Sequence, residues 1–203
     1  MTPHKPKAVV FDLGNVLLDF DYRKTVARIK DRCKLSEAEL HSLIAGSELF
    51  QKFEGGQVGV PEFFGELQKQ SCYDGTLEEF GEFFGDVFTE VPEMIAWQNE
   101  LRERGVPTYI LSNTNDLSIR FIRKRYPFFK NFTGYIYSYE HRVMKPAARI
   151  YELVEEMAGL RGADLFYIDD REENVQGGAA RGWQVSHHTK PARTLEIARG
   201  LGL

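Results

Sequence analysis

Four short clusters of reactive side chains stand out in the 203-residue chain, three of them directly beyond an apolar run. Asp12-Leu13-Gly14-Asn15 follows Ala8-Val9-Val10-Phe11, Ser112-Asn113-Thr114-Asn115 follows Thr108-Tyr109-Ile110-Leu111, and Asp169-Asp170 follows Leu165-Phe166-Tyr167-Ile168. Lys145-Pro146 stands ahead of an amphipathic stretch. A carboxylate from one strand end and two from another would repel each other in a partly dry site unless a cation lay between them. Magnesium suits that need: it takes hard oxygen ligands and is commonly held by one or two carboxylates together with a substrate phosphate. The other groups complete an anion cradle. Ser112 and Asn113 offer a hydroxyl and backbone N–H groups, Lys145 offers a positive charge, and the Gly14-Asn15 turn can bring its amides close to an anion.

Each piece also has an ordinary role. A lone strand-end aspartate such as Asp12 can cap a turn, Ser112 and Asn113 are common loop residues, and a lysine before proline is usually solvated. Asp169-Asp170 could cap the helix that contains Val175 and Ala179. What favours chemistry is the order of the clusters, because in an open α/β sheet ligands bind at the carboxyl ends of the strands.

The intervening sequence must therefore build such a sheet. Ala8-Val9-Val10-Phe11, Thr108 to Leu111, Gly134-Tyr135-Ile136-Tyr137 and Leu165 to Ile168 are continuous apolar runs, as expected of strands buried on both faces; Gln184-Val185-Ser186 is a weaker edge candidate. Helical stripes separate them: Met94, Trp97 and Leu101 after Pro92, ending near Gly105; Ile119, Ile122 and Tyr126; and Ile150, Val154 and Met157 after Pro146. This alternation predicts an α/β fold, a doubly wound, Rossmann-like parallel sheet with right-handed crossovers.

Residues 21–90 contain no convincing strand and read as several short helices. Ser36 and Glu39 form a capping box with Leu35 and Leu40 as its hydrophobic staple, and Thr76 and Glu79 form a second box. Val60, Phe63, Phe64 and Leu67 make one stripe, and Phe80, Phe83, Phe84, Val87 and Phe88 another. So many phenylalanines imply a separate small core. We expect a helical cap at 21–90, inserted after the first strand into an α/β core formed by 1–20 and 91–203. Asp21 and Asp116 read as N-caps for the helices that follow them.

Composition narrows the function. With 26 Lys plus Arg against 30 Asp plus Glu, the chain carries a net charge of −4, and residues 22–90 hold eight basic and thirteen acidic side chains, so no nucleic-acid partner is expected. No apolar window is long enough for a membrane span, and residues 1–7 are too short and polar for a signal peptide, which points to the cytoplasm. Cys33 and Cys72 are expected to stay reduced, and His187 and His188 to be sheet-edge residues rather than metal ligands. The expected partner is a small phosphorylated metabolite, with the chain a monomer or weak homodimer.

Taken in order, Val10 to Leu17, Leu111 to Asn115, Lys145-Pro146 and Tyr167 to Asp170 resemble the four motifs of the haloacid dehalogenase superfamily. Gly14-Asn15, Ser112 to Asn115 and Phe53-Glu54-Gly55-Gly56 look most similar to small phosphatases acting on glucose 1-phosphate and to the phosphatase domain of soluble epoxide hydrolases. The resemblance implies that Asp12 is a nucleophile forming an aspartyl-phosphate. It also implies Mg²⁺ held by Asp12, the Gly14 carbonyl and Asp170, with Asp169 and Asn174 behind them. Ser112 and Asn113 would bind phosphate oxygens, and Lys145 would stabilise nucleophile and phosphoryl charge. The chain departs from the common pattern at Gly14, where most members carry a second aspartate as proton donor. A metal-bound water, the substrate or a cap residue such as Glu54 is then left to do that work. Leaving groups stable as anions, such as an anomeric sugar hydroxyl, would suit this site. The alternatives are a phosphonate or haloacid hydrolase of the same superfamily, the former needing a cap lysine such as Lys24, Lys30 or Lys52, or a phosphate-binding protein without catalysis.

Overall fold

The computed structural model describes residues 4–203, so the first three positions of the polar amino terminus lie outside the described residues. Its strands are β1 (Ala8–Phe11), β2 (Leu18–Phe20), β3 (Phe88–Glu90), β4 (Thr108–Ser112), β5 (Gly134–Tyr137), β6 (Leu165–Asp169) and β7 (Gln184–His187). Five of them form one parallel sheet in the order β5-β4-β1-β6-β7. The apolar runs become these strands because each is covered on both faces. Val9 and Phe11 of β1 join one core cluster with Ile110, Ile168, Met94, Trp97 and Ile122, while Ala8 and Val10 join another with Leu111, Tyr167, Ile150 and Tyr151. Alternate side chains thus face opposite helical layers.

The helices are α1 (Arg23–Ile29), α2 (Glu37–Ala45), α3 (Glu48–Glu54), α4 (Val60–Ser71), α5 (Leu77–Gly85), α6 (Pro92–Glu103), α7 (Asp116–Arg125), α8 (Ser138–His141), α9 (Ala148–Ala158), α10 (Glu172–Ala179) and α11 (Pro191–Gly200). Helices α1 to α5 bring their apolar faces together in a third cluster, with Phe63, Phe80 and Phe84 fully buried and Phe53 stacked on Phe63 at 4.3 Å between ring centroids.

Several local expectations need correction. The segment 21–90 does contain a strand: β3 pairs antiparallel with β2 across the whole helical insertion. Each is three residues long and largely exposed, too short to show periodicity, and its partner is remote in sequence. The Ser36 box closes in both directions. At Thr76 only the hydroxyl half forms, because Glu79 turns instead to Arg32 and Tyr73. Helix α1 starts with Tyr22 at its N-cap, and Asp21 accepts from the Arg23 N–H just ahead of it at 3.0 Å. Asn115, not Asp116, caps α7, accepting from Ser118 N–H at 3.0 Å. Met157 is 47% exposed; Tyr151 takes the core position on that helix.

Candidate active site

Register is what brings the clusters together. Phe11 of β1 lies level with Ile110 of β4 and Ile168 of β6, so the next residues along, Asp12, Leu111 and Asp169, emerge side by side. The Asp12 N–H donates to the Ile168 carbonyl at 2.8 Å. Because β1 has β4 on one side and β6 on the other, connections leave in opposite directions at this edge, opening the crevice in which α/β sheets bind ligands.

Lys145 occupies the centre. Its side chain is 1% exposed, and its ammonium lies 2.9 Å from Asp12 Oδ1 and 2.6 Å from Asp169 Oδ2 while donating to the Leu111 carbonyl at 3.1 Å. Asn113 holds it there by a reciprocal pair: Lys145 N–H donates to Asn113 Oδ1 at 2.8 Å, and Asn113 Nδ2 donates to the Lys145 carbonyl at 3.1 Å. The Asn113 side chain therefore positions the lysine with one of its two Nδ2 donors and with Oδ1. Ser112 is buried and its hydroxyl makes only a 3.4 Å contact to the Asn113 carbonyl.

Asp169 is fully buried and saturated with donors. Oδ2 accepts from Lys145 and from the Tyr167 hydroxyl, and Oδ1 accepts from Arg171 N–H at 2.9 Å and Asn174 Nδ2 at 3.0 Å. Burial opposes its charge, yet Lys145 and these hydrogen bonds hold its carboxyl below the usual range. Asp12 is less well served. Its Oδ1 accepts from Leu13 N–H at 2.6 Å and faces Lys145. Burial pushes the carboxyl well up against the pull of Lys145, and the neighbouring charges of Asp169 and Asp170 add to the rise. Lys145 is penalised by burial but held charged, its pKa raised, by Asp12 and Asp169. Carboxylate oxygens of Asp12, Asp169 and Asp170 lie within 4.8 Å of one another. Three carboxylates with one ammonium leave an excess of negative charge that a divalent cation would neutralise.

Asn15 has a different task from the one expected. Its backbone N–H is taken by the Leu18 carbonyl at 2.9 Å, in a turn where Asn15 itself has φ +53°, and its Nδ2 donates to Asp170 Oδ2 at 2.8 Å. It therefore orients a carboxylate and does not turn its amide N–H to an anion. At Gly14 a Cβ would lie 2.9 Å from the Phe20 ring, so an aromatic edge stands where a side chain at that position would go.

Asp12, Gly14, Asn15, Asn113, Lys145 and Asp170 line one cavity of about 580 Å³, shared with Phe20, Tyr22, Gln51, Glu54 and Phe88, while Asp169 lies fully buried behind it. Lys145 is the lysine of its lining. Lys24 contacts the Val87 carbonyl, Lys30 pairs with Glu37, and Lys52 with Glu48. His187 Nε2 lies 2.9 Å from the Asp170 carbonyl and Nδ1 2.9 Å from a Glu172 carboxylate oxygen, outside the carboxylate cluster. Two contributors escaped the reading of the sequence. Tyr167 could have been found, since it stands two residues before Asp169 on the same face of a strand. Ser138, which accepts from Thr114 N–H at 2.9 Å and donates to the Glu54 carbonyl at 2.6 Å, carried no local signal.

Comparison with known proteins now has a geometry to rest on. Residues 6–182 match the family of haloacid dehalogenase-like hydrolases. The chain belongs to that family. Among related proteins, a sesquiterpene phosphatase of Aspergillus oryzae is 25% identical over 198 residues, 96% of each chain. A D-ribitol-5-phosphate phosphatase of Bacteroides thetaiotaomicron is 26% identical over 190 residues, 88% of this chain and 90% of that one. A haloacid dehalogenase family enzyme from B. thetaiotaomicron, crystallised with magnesium and inorganic phosphate, has the same fold with a TM-score of 0.78. It is 23% identical, and the match covers 89% of this chain and 93% of that one. Among the described residues no helix is long and apolar enough to cross a membrane.

Proposed function

We propose that this chain is a Mg²⁺-dependent phosphatase that hydrolyses small phosphomonoesters through an aspartyl-phosphate on Asp12. The observation that carries the reading is the Asp12-Lys145-Asp169 cluster with Asp170 beside it, a buried arrangement that still lacks positive charge. Asp12, the Gly14 carbonyl and Asp170 would hold the ion, and Asp169, its acceptor capacity already filled, would anchor Lys145 together with Asn174. When bound, magnesium would neutralise charge on Asp12 and on the phosphoryl oxygens. An Asp12 oxygen attacks phosphorus as the bond to the leaving oxygen breaks. Lys145 offsets charge on the nucleophile and the phosphoryl group. Ser112 Oγ and the Asn113 backbone would donate to phosphoryl oxygens. Water then displaces phosphate from Asp12.

The relatives named as phosphatases support the activity, and a cavity of about 580 Å³ suits a small phosphorylated metabolite. Within that class we favour a sugar 1-phosphate such as glucose 1-phosphate. Its anomeric oxygen leaves more readily than a primary alkoxide, and Phe20 and Phe88 offer faces to a sugar ring while Asn15 and Gln51 offer hydrogen bonds. The phosphonate-hydrolase alternative loses support because Lys24, Lys30 and Lys52 all have other partners and Lys145 alone of the lysines lines the cavity. The test is turnover of p-nitrophenyl phosphate with and without Mg²⁺, followed by a panel of phosphorylated metabolites including glucose 1-phosphate. Asp12→Asn should lower kcat by about a thousandfold or more while the protein stays folded; undiminished turnover would remove Asp12 from this role.

A further inference from the structure

We propose that Glu54, carried into the site by the cap, is the general acid and base that Gly14 cannot be. The inference rests on the phosphatase reading and supplies the proton transfer that reading leaves open. Glu54 is the last residue of α3 and lines the same cavity as Asp12, Gly14 and Lys145. Three contacts hold it there. Phe53 is stacked into the cap core on Phe63. The Glu54 carbonyl accepts from Ser138 Oγ at 2.6 Å, and that same hydroxyl oxygen accepts from Thr114 N–H in the loop after β4. Two residues on, Gly56 has φ +66°, and a Cβ there would fall 2.1 Å from the Tyr139 carbonyl. The Glu54-Gly55-Gly56 sequence is thus the point where cap backbone docks against core backbone, which fixes the backbone position of Glu54 at the cavity wall.

The carboxyl itself has no hydrogen-bond or ion-pair partner among the described residues, unlike Glu48 on the same helix, which pairs with Lys52. Burial pushes it up to about 7, against the opposing pull of Lys145 and Arg171. The other titratable groups around it are Tyr22, whose phenol is itself raised by burial and by Glu54, and Asp12, Asp170 and Glu173 of the cavity wall. A carboxyl that titrates near neutrality can give and retake a proton at the working pH. In the first step the Asp12 oxygen bonds to phosphorus, the phosphorus–oxygen bond to the leaving group breaks with its electron pair, and protonated Glu54 gives its proton to the leaving oxygen. In the second, Glu54 carboxylate takes a proton from water as the water oxygen bonds to phosphorus. The Asp12–phosphorus bond then breaks, releasing phosphate, the Asp12 carboxylate and protonated Glu54.

The experiment compares wild type, Glu54→Gln and Glu54→Asp on phosphate esters of graded leaving-group acidity, with Mg²⁺ present. Glu54→Gln should lose about a hundredfold or more in kcat/KM for alkyl and sugar phosphates, the usual scale of general acid catalysis, and much less for p-nitrophenyl phosphate. It should also show a burst of nitrophenol equal to the enzyme concentration, because removal of phosphate from Asp12 has lost its base. Glu54→Asp should keep part of the activity. A second readout needs no turnover: since Glu54 stays protonated in the folded protein above its unfolded pKa, folded stability falls as pH rises toward about 7. The Tm advantage of Glu54→Gln over wild type should therefore grow from pH 4.5 to 7. Equal leaving-group slopes in wild type and Glu54→Gln, or a Tm difference flat with pH, would overturn the proposal. Absence of any Mg²⁺-dependent turnover of p-nitrophenyl phosphate by wild type would instead refute the phosphatase reading, and the Tm series would still judge Glu54.

Discussion

Replacing Lys145 with methionine keeps the side-chain volume and removes the charge at the centre of the site. The ammonium is 1% exposed and lies within 3 Å of both Asp12 and Asp169, so its loss strands two buried carboxylates against each other. Breaking a buried pair by deleting one partner costs about 3–5 kcal/mol. For a protein of this size that corresponds to a fall in Tm of roughly 6–20 °C, at about 2–4 °C per kcal/mol. The pH dependence has a definite sign. Without Lys145 the folded-state pKa of both carboxyls moves upward, so the folded variant binds more protons than folded wild type at neutral pH. Its deficit is therefore largest near pH 7 and narrows as pH falls through the carboxylate range. Asp169→Asn removes one of the stranded charges, and the double variant should recover about 0.5–3 kcal/mol relative to additivity. Calorimetric unfolding from pH 5 to 8, in chelator to keep cations out, measures all three variants. A Lys145→Met protein whose Tm lies within about 2 °C of wild type at every pH would show that the ion cluster does not carry the energy ascribed to it.

Three further outcomes test other parts of the structure. Asn115→Ala removes the side-chain acceptor that caps α7 and should cost about 1 kcal/mol in a denaturant titration; no change would mean that Ser118 N–H finds water instead. Magnesium at a hundred times its Kd should stabilise wild type by about 2.7 kcal/mol and stabilise Asp170→Asn far less, as read by Tm with and without chelator; equal shifts would move the ion away from Asp170. Gly14→Asp displaces the Phe20 ring, which is 41% exposed, from its edge contacts with Tyr22 and Phe88. In the Glu54→Gln background it should raise kcat/KM for alkyl phosphates while leaving p-nitrophenyl phosphate nearly unchanged, and a uniform loss would count against a proton donor at either position.

Much of this protein was legible before any coordinates. The four continuous apolar runs are four of the five strands of the parallel sheet, because a strand buried on both faces must be apolar throughout, while the weaker Gln184-Val185-Ser186 is the half-exposed edge strand β7. The residues directly after the runs had to collect at one edge once all strands ran the same way. The aromatic stripes of α4 and α5 likewise announced a second core. Three-dimensional packing decided the rest. The pairing of β2 with β3 joins residues some seventy positions apart in segments too short to carry a pattern. The use of Asn113 to seat Lys145, and of Asn15 to hold Asp170 rather than offer its N–H to an anion, depended on which hydrogen-bond partners the folded chain left unsatisfied. The same holds for Glu54. Its sequence neighbours include two glycines, but only the close approach of Gly56 to the Tyr139 carbonyl and the Ser138 bond to the Glu54 carbonyl explain why no side chain fits at Gly56 and why the Glu54 backbone sits at the cavity wall. Local composition determined which segments were buried; the direction of each polar atom was set by contacts between segments distant in the chain, where unpaired groups are costly.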